Sequence, residues 1–315
     1  MHSRAGQDYT IEPIGENNYA DVAKLHYIVF GKYVDPQYYR NKYNTSKIGL
    51  ESIGFLISYK DKTPVAFCGM IACHIGYQDQ RIQAGQFLDA MTHPQHRGKG
   101  LYMEINELIC STAIEKGFKL FFGFPNQNAH PMFLNRAPWV CEQRMQCFEI
   151  KTNAIPFSYI LKIPFLKAAY KGYQNAILKP WLDSDKSFSN LIINEDFAGV
   201  VRDRNYIDYK SYTGNKIIHL SNGAKAWIKA GFHLYLGDIE LNGNDFESTL
   251  NEIKKIATRL GISRIIFQTS EGTALYHHFK KHYQSFETFF ILLKDEGSDI
   301  PMDQLKFSFA DIDIF

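Results

Sequence analysis

Six consecutive residues combine the charges and the glycines that an anion-binding loop needs. They are Gln95-His96-Arg97-Gly98-Lys99-Gly100. Arg97 and Lys99 add positive charge, and the two glycines permit a positive φ and a close approach of a ligand to the backbone. Apolar residues at helical spacing begin at Leu101, so the loop leads into a helix whose first-turn amides and macrodipole favour a phosphate. The segment therefore predicts a phosphate-binding junction between a strand and a helix.

The glycine spacing distinguishes this loop from two other phosphate-binding loops. No G-K-[S/T] ends it, which excludes a Walker A loop, and G-x-G-x-x-G is absent, which excludes the dinucleotide fingerprint. The pattern that is present, Q-x-x-G-x-G, resembles the signature of the GNAT superfamily of N-acetyltransferases, Q/R-x-x-G-x-G/A between a strand and a long helix. Taken alone, the hexapeptide is also compatible with an ordinary strand-to-helix turn.

The elements predicted around the loop fit the resemblance. Apolar runs separated by turn residues predict an antiparallel meander ahead of it, with strands at 54–59, 64–74 and 81–91. A helix at 101–117 ends at Gly117, and a short apolar run at 119–124 predicts a buried strand. Two further helices are predicted at 19–29 and 129–135.

The resemblance implies acetyl-CoA as a cosubstrate, with no metal. In GNAT proteins the loop amides bind the CoA pyrophosphate, the pantetheine arm lies between two splayed strands, and an Asn after the second strand contacts it. In this chain Asn126 and Asn128 match that position, and a role as helix N-cap or turn residue is the alternative for each of them. The implied cofactor-binding residues are Met91, Thr92, His93, Gln95, His96, Arg97, Gly98, Lys99, Gly100, Leu101, Tyr102, Asn126, Asn128 and Phe133. The backbone amide of Met91 or Thr92 would polarise the thioester oxygen.

Direct attack by an amine requires a base, because an ammonium group must first lose its proton. Asp89 lies on the strand leading to the loop, where GNAT enzymes often place a carboxylate, and His93 is close in sequence to the expected thioester. Each also has a structural interpretation. Asp89 could accept a hydrogen bond in a turn at the end of the strand, and His93 could be a polar residue ahead of Pro94. His130 and Glu142 are weaker candidates.

The general acid of the family has no equivalent in this chain. GNAT proteins often carry N-x-x-A-x-x-x-Y, whose tyrosine protonates the leaving thiolate. Here Asn126 and Ala129 match that pattern, but Phe133 stands where the tyrosine would be. Either another group or water protonates the thiolate, or the domain only binds acyl-CoA.

The chain of 315 residues predicts two α/β (α+β) domains in tandem, each a mixed, mostly antiparallel sheet flanked by helices. Residues 1–152 would form the N-terminal acyl-CoA-binding domain, 153–195 a linker, and 196–315 a degenerate GNAT-like domain. In the second half, strands are predicted at 216–219, 224–230, 232–240, 264–269 and 288–294, and helices at 246–260 and 273–282. This repeats the element order of the first half, but the strand-helix junction has one loop glycine and an acidic approach containing Asp238 and Glu240. Val201–Tyr206 and Phe307–Asp313 resemble segments of bacterial tandem-GNAT proteins.

Composition limits the partners. The 35 basic and 33 acidic side chains give a formal net charge of +2, so no general attraction to nucleic acid or anionic membranes is expected, and any basic site must be local. No stretch approaches the roughly 18 apolar residues of a membrane span. The five cysteines form no C-x-x-C pair and are expected to be reduced core residues. These features predict a cytoplasmic protein, and a homodimer is left open.

The function expected from the resemblance is N-acetyl transfer from acetyl-CoA to a primary amine of a small molecule or an amino sugar. Two alternatives remain. The missing tyrosine favours a non-catalytic acyl-CoA sensor, and the tandem organisation allows an aminoacyl (peptidyl) transferase of cell-wall synthesis. The CoA-type loop argues against the second alternative.

Overall fold

The computed structural model describes residues 6–60, 62–125, 127, 139–183 and 187–315. The chain forms two compact units. Unit 1 contains Met1–Ile75, Gln80–Glu142 and Phe290–Asp299, and unit 2 contains Gly76–Asp79, Gln143–Phe289 and Ile300–Phe315. The domain boundaries 1–152 and 196–315, with a linker at 153–195, stay a prediction, and each unit combines segments from distant parts of the chain.

The elements of the described residues are numbered in chain order. The strands are β1 (Tyr9–Pro13), β2 (Ile53–Tyr59), β3 (Thr63–Tyr77), β4 (Gln80–Thr92), β5 (Leu120–Gly123), β6 (Val140–Lys151), β7 (Gly199–Val200), β8 (Lys216–His219), β9 (Lys225–Ala230), β10 (Leu234–Glu240), β11 (Arg264–Thr269) and β12 (Ser285–Asp295). The α-helices are α1 (Tyr19–Phe30), α2 (Pro36–Tyr43), α3 (Leu101–Glu115), α4 (Lys167–Leu178), α5 (Leu191–Asn194), α6 (Arg204–Lys210), α7 (Phe246–Arg259) and α8 (Ala274–Lys280).

Unit 1 is built on a sheet in the order β1-β2-β3-β4-β5, to which the end of β12 is added. The pairs β1–β2 and β2–β3 are antiparallel, whereas β4 and β5 are parallel. Residues 292–295 of β12 pair antiparallel with β5, from Leu292 opposite Gly123 to Asp295 opposite Leu120. A strand near the end of the chain thus completes the sheet of the first unit.

The helices of unit 1 pack against its strands and form two separate apolar cores. In the first core, α3 packs against β2 and β4 through Leu101, Ile105 and Ile109, which recur at helical spacing and are buried. The other core is formed by α1 and α2, with Val22, Leu25 and Tyr39 against the sheet. Helix α2 is not among the predicted elements, because its buried positions are tyrosines and a lysine rather than aliphatic residues.

Unit 2 repeats this pairing scheme. Strands β8, β9 and β10 form an antiparallel meander, β11 is parallel to β10, and β6 is antiparallel to β11 from Lys151 to Gln146. Helix α7 begins after Asp245, whose carboxylate accepts from the amide of Ser248, and it buries Leu250, Ile253 and Ile256. A capped, amphipathic helix and a regular meander explain why most of this unit was predicted at the correct positions.

The expected fold class is confirmed, since the strands of each unit pair in a mixed, mostly antiparallel manner and are flanked by helices. The predicted strands and helices correspond to β2–β5, β8–β12, α1, α3, α7 and α8. The predicted helix at 129–135 lies outside the described residues. The side chains of Cys68, Cys73, Cys110 and Cys147 are buried. Among the described residues, no helix is both long and apolar enough to cross a membrane.

A buried arginine links distant segments of unit 2. The Arg202 guanidinium donates to Asp311 from Nε at 3.0 Å and from Nη2 at 2.8 Å, and it also pairs with Asp238. Its side chain is fully buried. Burial alone would lower the pKa of Arg202, but the carboxylates of Asp311 and Asp238 raise it above its usual value. The ion pairs of this one guanidinium therefore connect β10, which contains Asp238, to the end of the chain, which contains Asp311.

Replacing Arg202 by methionine should destabilise the protein by about 3 to 5 kcal/mol, because Asp238 and Asp311 would be left buried without their cation. The free energy of unfolding from urea denaturation measures this loss. Arg204→Met is the control, since Arg204 is exposed and its loss should change stability by about 0.5 kcal/mol or less. Equal losses in the two variants would show that the buried cluster contributes no special stability.

Candidate functional site

The loop before α3 has the backbone geometry of an anion-binding junction. Gly98 and Gly100 have φ of 78° and 79°, in the left-handed region that favours glycine. Helix α3 begins at Leu101, and its N-cap, Gly100, has no side chain that could accept from the first-turn amides. A Cβ atom on Gly98 or Gly100 would meet nothing within 4 Å. The glycines are thus required by backbone conformation, and the space beside them is open.

Tyr9 of β1 fixes two side chains of this loop. Its hydroxyl lies 2.8 Å from Nζ of Lys99 and 3.0 Å from Nδ1 of His96. The His96 ring also lies against Tyr59, with centroids 4.9 Å apart. Burial, with Lys99 and His93 nearby, lowers the pKa of His96, which favours the neutral imidazole. His96 therefore acts as a packed support of the loop, while Lys99 is held as a cation at its edge.

Strand β4 separates from β5 next to this loop. The two strands pair only from Ala84 to Phe87 of β4, although β4 continues to Thr92 and β5 ends at Gly123. Beyond β5, the carbonyl of Pro125 accepts from the amide of Phe290 at 3.2 Å, so the chain continues along β12. Within the described residues, the last part of β4 has a free edge on this side.

Backbone alternation identifies which groups face that edge. The amide of His93 donates to Val65 of β3 at 2.8 Å. Because successive residues of a strand point their backbone groups to opposite sides, Met91 shares the β3 side with His93, and Ala90 and Thr92 face the free edge. The carbonyl of Thr92 accepts from Nε of Arg97 at 3.3 Å, which agrees with this assignment. Of the two amides predicted to polarise the thioester oxygen, those of Met91 and Thr92, the Thr92 amide is the one that faces the free edge.

Asp89 marks the position where β4 diverges. Its φ is 54°, unusual for a non-glycine residue, and it interrupts the extended backbone two residues beyond the last β4–β5 pair. Oδ1 accepts from Nζ of Lys42 at 2.9 Å and Oδ2 from the hydroxyl of Tyr43 at 2.9 Å. The side chains of Lys42 and Asp89 are 2% and 15% exposed. Helix α2 thus supplies both partners of a nearly buried carboxylate.

The groups around Asp89 form a polar cluster between α1, α2 and β4. We define the Asp89 cluster as Asp89, Lys42, Tyr43, Tyr39 and His26. The hydroxyl of Tyr39 lies 2.7 Å from Nδ1 of His26, and burial lowers the pKa of this histidine. Burial and the adjacent Asp89 carboxylate raise the pKa of Tyr43 well above its usual value. The tyrosine therefore stays protonated and donates to Asp89.

Sequence reasoning did not identify the partners of Asp89 or the role of Tyr9. One local signal was available for α2, since Asp35-Pro36 is a helix start, with the Asp35 carboxylate accepting from the amide of Gln37 at 2.9 Å. A further signal was Gly69, because a Cβ there would overlap the Tyr43 ring. Tyr9 lies about 90 residues from Lys99, and no local pattern connects the two.

The remaining predicted residues have different positions. His93 Nδ1 accepts from the amide of Gln95 at 3.2 Å, so His93 caps the turn Pro94–His96. The side chain of Leu101 is buried in the core, and the Tyr102 hydroxyl accepts from Asn106 at 3.2 Å. At these two positions only the backbone is available to the junction. Asn126, Asn128, His130 and Phe133 lie outside the described residues, as does the side chain of Glu142.

Unit 2 contains a matching divergence that its own chain fills. Strands β10 and β11 pair only from Leu234 to Leu236, although β10 continues to Glu240. Ser270, after β11, donates its amide to the carbonyl of Phe307 at 2.8 Å, and Thr269 forms a bridge with Ser308. A Cβ on Gly237 would overlap the ring of Phe315. Residues 307–315, the C-terminal segment, thus occupy the space beside β10.

Comparison with solved structures shows the same fold at low identity. A GCN5-related N-acetyltransferase from Kribbella flavida has a TM-score of 0.57 and 12% identity, over 91% of this chain and 71% of that chain. One from Sphaerobacter thermophilus has a TM-score of 0.52 and 9% identity, over 96% and 100%. A conserved protein of unknown function from Enterococcus faecalis has a TM-score of 0.59 and 10% identity, over 91% and 73%.

Comparison with sequence families identifies the part of the chain that contains the loop. No curated protein matches the sequence. The family profile of the acetyltransferase (GNAT) domain matches residues 10–139, which include β1 to β5, the Asp89 cluster and the glycine loop. Residues 10–139 thus match the GNAT acetyltransferase domain in sequence, and the chain shares the fold of GCN5-related N-acetyltransferases.

Proposed function

We propose that the protein transfers the acetyl group of acetyl-CoA to a primary amine of a small molecule or an amino sugar, by direct attack. The observation that carries this proposal is the adjacency of two features in unit 1. A glycine loop with two positive φ values opens α3, and the free edge of β4 leads directly into it. The glycine loop suits a pyrophosphate, and the free strand edge suits an extended chain that contains amide groups.

The cosubstrate would bind along these two features. The pyrophosphate would accept from loop amides between Gln95 and Tyr102, with Arg97 and Lys99 adding positive charge. The amide groups of the pantetheine arm would pair with the free edge of β4 at Ala90 as an added strand does. The thioester oxygen would then accept from the Thr92 amide, where developing negative charge is stabilised during attack.

Asp89 is the better supported of the two candidate bases. In neutral His93 the proton lies on Nε2, because Nδ1 accepts from the Gln95 amide, so its basic nitrogen is already engaged. The Asp89 carboxylate has about four lone-pair positions. The two hydrogen bonds from Lys42 and Tyr43 leave it further acceptor capacity. We propose that Asp89 receives the proton of the ammonium substrate, directly or through water.

A second candidate function is a non-catalytic acyl-CoA sensor, and Phe133 is the residue that favours it. Phenylalanine cannot donate a proton to the leaving thiolate, so an enzyme of this sequence must use water or another group. Assays of amines with acetyl-CoA, monitored by thiol release, separate the two functions. Binding without thiol release for every amine tested would favour the sensor.

We further propose that the second unit is a degenerate GNAT-like domain and that each chain has one cofactor site. The C-terminal segment beside β10 supports this, because it occupies the space that corresponds to the free edge of β4. The acidic residue Glu240 at the end of β10 also makes this junction unfavourable for a pyrophosphate, whereas Asp238 is paired with Arg202.

Replacing Gly98 by valine should lower the affinity for CoA by about 100-fold or more, because a branched side chain disfavours the positive φ and obstructs the loop. Isothermal calorimetry measures the affinity and should give one site per chain for the unchanged protein. Gly49→Val is the matched control, since Gly49 has a φ of 77° and equally open surroundings but lies in the turn after Ser46–Ile48. Retained affinity in Gly98→Val would place the cofactor elsewhere.

Replacing Asp89 by asparagine should reduce kcat about 100-fold and leave the affinity for CoA nearly unchanged, because the amide keeps the shape but takes no proton. Steady-state kinetics measure kcat, and isothermal calorimetry measures the affinity for CoA. Tyr43→Phe removes one hydrogen bond from the same carboxylate and should have a much smaller effect on kcat. A larger loss in His93→Gln than in Asp89→Asn would assign the base to His93 instead.

A further inference from the structure

One segment of unit 2 has an unusual charge pattern that the proposed acetyl transfer does not use. Residues 151–182 contain no aspartate, glutamate or arginine but contain five lysines. These are Lys151, Lys162, Lys167, Lys171 and Lys179, and all five are exposed. The segment carries a formal charge of +5 in a protein whose net charge is only +2. Its positive charge is therefore local and is not balanced by acidic residues along the same segment.

The same segment exposes large apolar side chains. Phe165 is 80% exposed, Ile155 72% and Tyr159 52%. Seven of the fourteen exposed large hydrophobic residues in the described part of the chain belong to it. The other four are Phe157, Ile163, Tyr173 and Leu182. Scattered single residues of this kind are ordinary, but such a concentration in one segment marks an interaction surface.

These residues are held in one region by contacts around the end of α7. The turns Phe157–Lys162 and Pro164–Leu166 pack against α4. Phe157 lies against Gly261, where a Cβ would be 2.6 Å from the ring, and the hydroxyl of Tyr173 donates to the carbonyl of Arg259 at 2.6 Å. We call residues 151–182 with Arg259 and Phe232 the basic aromatic surface.

Cations and rings are interleaved on the basic aromatic surface. Nζ of Lys162 lies 4.9 Å from the ring centre of Tyr159 and 5.2 Å from that of Phe232. The guanidinium of Arg259 lies 5.3 Å from the ring centre of Trp181. These contacts leave the side chains attached to the surface while their exposed parts face solvent. The neighbouring element α7 adds Lys255 and Arg259, which are both exposed and positively charged.

We propose that the basic aromatic surface is a peripheral docking site for a bilayer that contains anionic phospholipids. Ammonium groups on flexible stems pair with lipid phosphates, and exposed Phe, Ile and Tyr side chains enter the boundary between headgroups and acyl chains. Two aliphatic residues, Ile155 and Ile163, favour a lipid over a nucleic acid, because they offer no ring on which a base could stack. The charge pattern favours an anionic lipid over a second copy of this surface, which would bring like charges together.

Vesicle co-sedimentation of the full chain tests the proposal. The protein should bind vesicles that contain phosphatidylglycerol, bind pure phosphatidylcholine vesicles at least about ten-fold more weakly, and dissociate at high salt. Lys162→Gln and Lys167→Gln should each lower the partition coefficient about five-fold. Phe165→Ser should lower it about ten-fold through the loss of an inserted ring. Tyr33→Ser and Lys47→Gln, exposed residues of unit 1, are the matched controls and should bind as the unchanged protein does.

Three outcomes would overturn the proposal. The first is an absence of sedimentation with any vesicle at low salt, and the second is equal binding to neutral and anionic vesicles. The third is a wild-type dimer in light scattering that Phe165→Ser converts to a monomer, with no vesicle binding by either, which would assign the surface to a second copy. Because Phe165 is exposed, Phe165→Ser should keep its urea midpoint and its affinity for CoA, so loss of folding cannot mimic loss of lipid binding.

Discussion

The free edge of β4 is the constraint on which the candidate site depends. Backbone N–H and C=O groups need partners, so a strand leaves its neighbour only where other contacts hold both strands apart. Here Asp89 changes the backbone direction of β4 with a φ of 54°, and Lys42 and Tyr43 hold its carboxylate. On the other side, the Pro125 carbonyl is taken by Phe290 of β12. The opening is thus maintained by contacts on both strands rather than by a gap in the packing.

The same contacts decide the electrostatics that an anionic cosubstrate would meet. An isolated carboxylate at the divergence of β4 would repel a phosphate, but Asp89 is paired with the almost fully buried Lys42. Lys99 and Arg97, in contrast, are bonded to uncharged oxygens, the Tyr9 hydroxyl and the Thr92 carbonyl. Among the described residues, no carboxylate forms an ion pair with either cation. The arrangement keeps positive charge at the loop and neutralises negative charge beside the strand.

Features that depend on neighbours in sequence could be predicted, and features that depend on distant pairing could not. The loop was recognisable because two glycines, two cations and a helix start fall within seven residues. Helix α7 and the meander of unit 2 were predicted because their apolar periods are regular. The partners of Asp89 lie 46 and 47 residues away, on a helix rich in tyrosine, and Tyr9 lies 90 residues from Lys99. The pairing of β12 with β5 joins segments about 170 residues apart, which no local pattern records.

In unit 2, the space beside the diverging strand is occupied by the protein itself. Its β10 also leaves β11 early, and the protein fills the space with Phe307, Ser308 and Phe315 of its own chain. A segment of the same chain fills it without the loss of translational freedom that a separate ligand undergoes, and Arg202 fixes that segment through Asp311. What distinguishes unit 1 within the described part of the chain is therefore the combination of a free strand edge with a glycine loop.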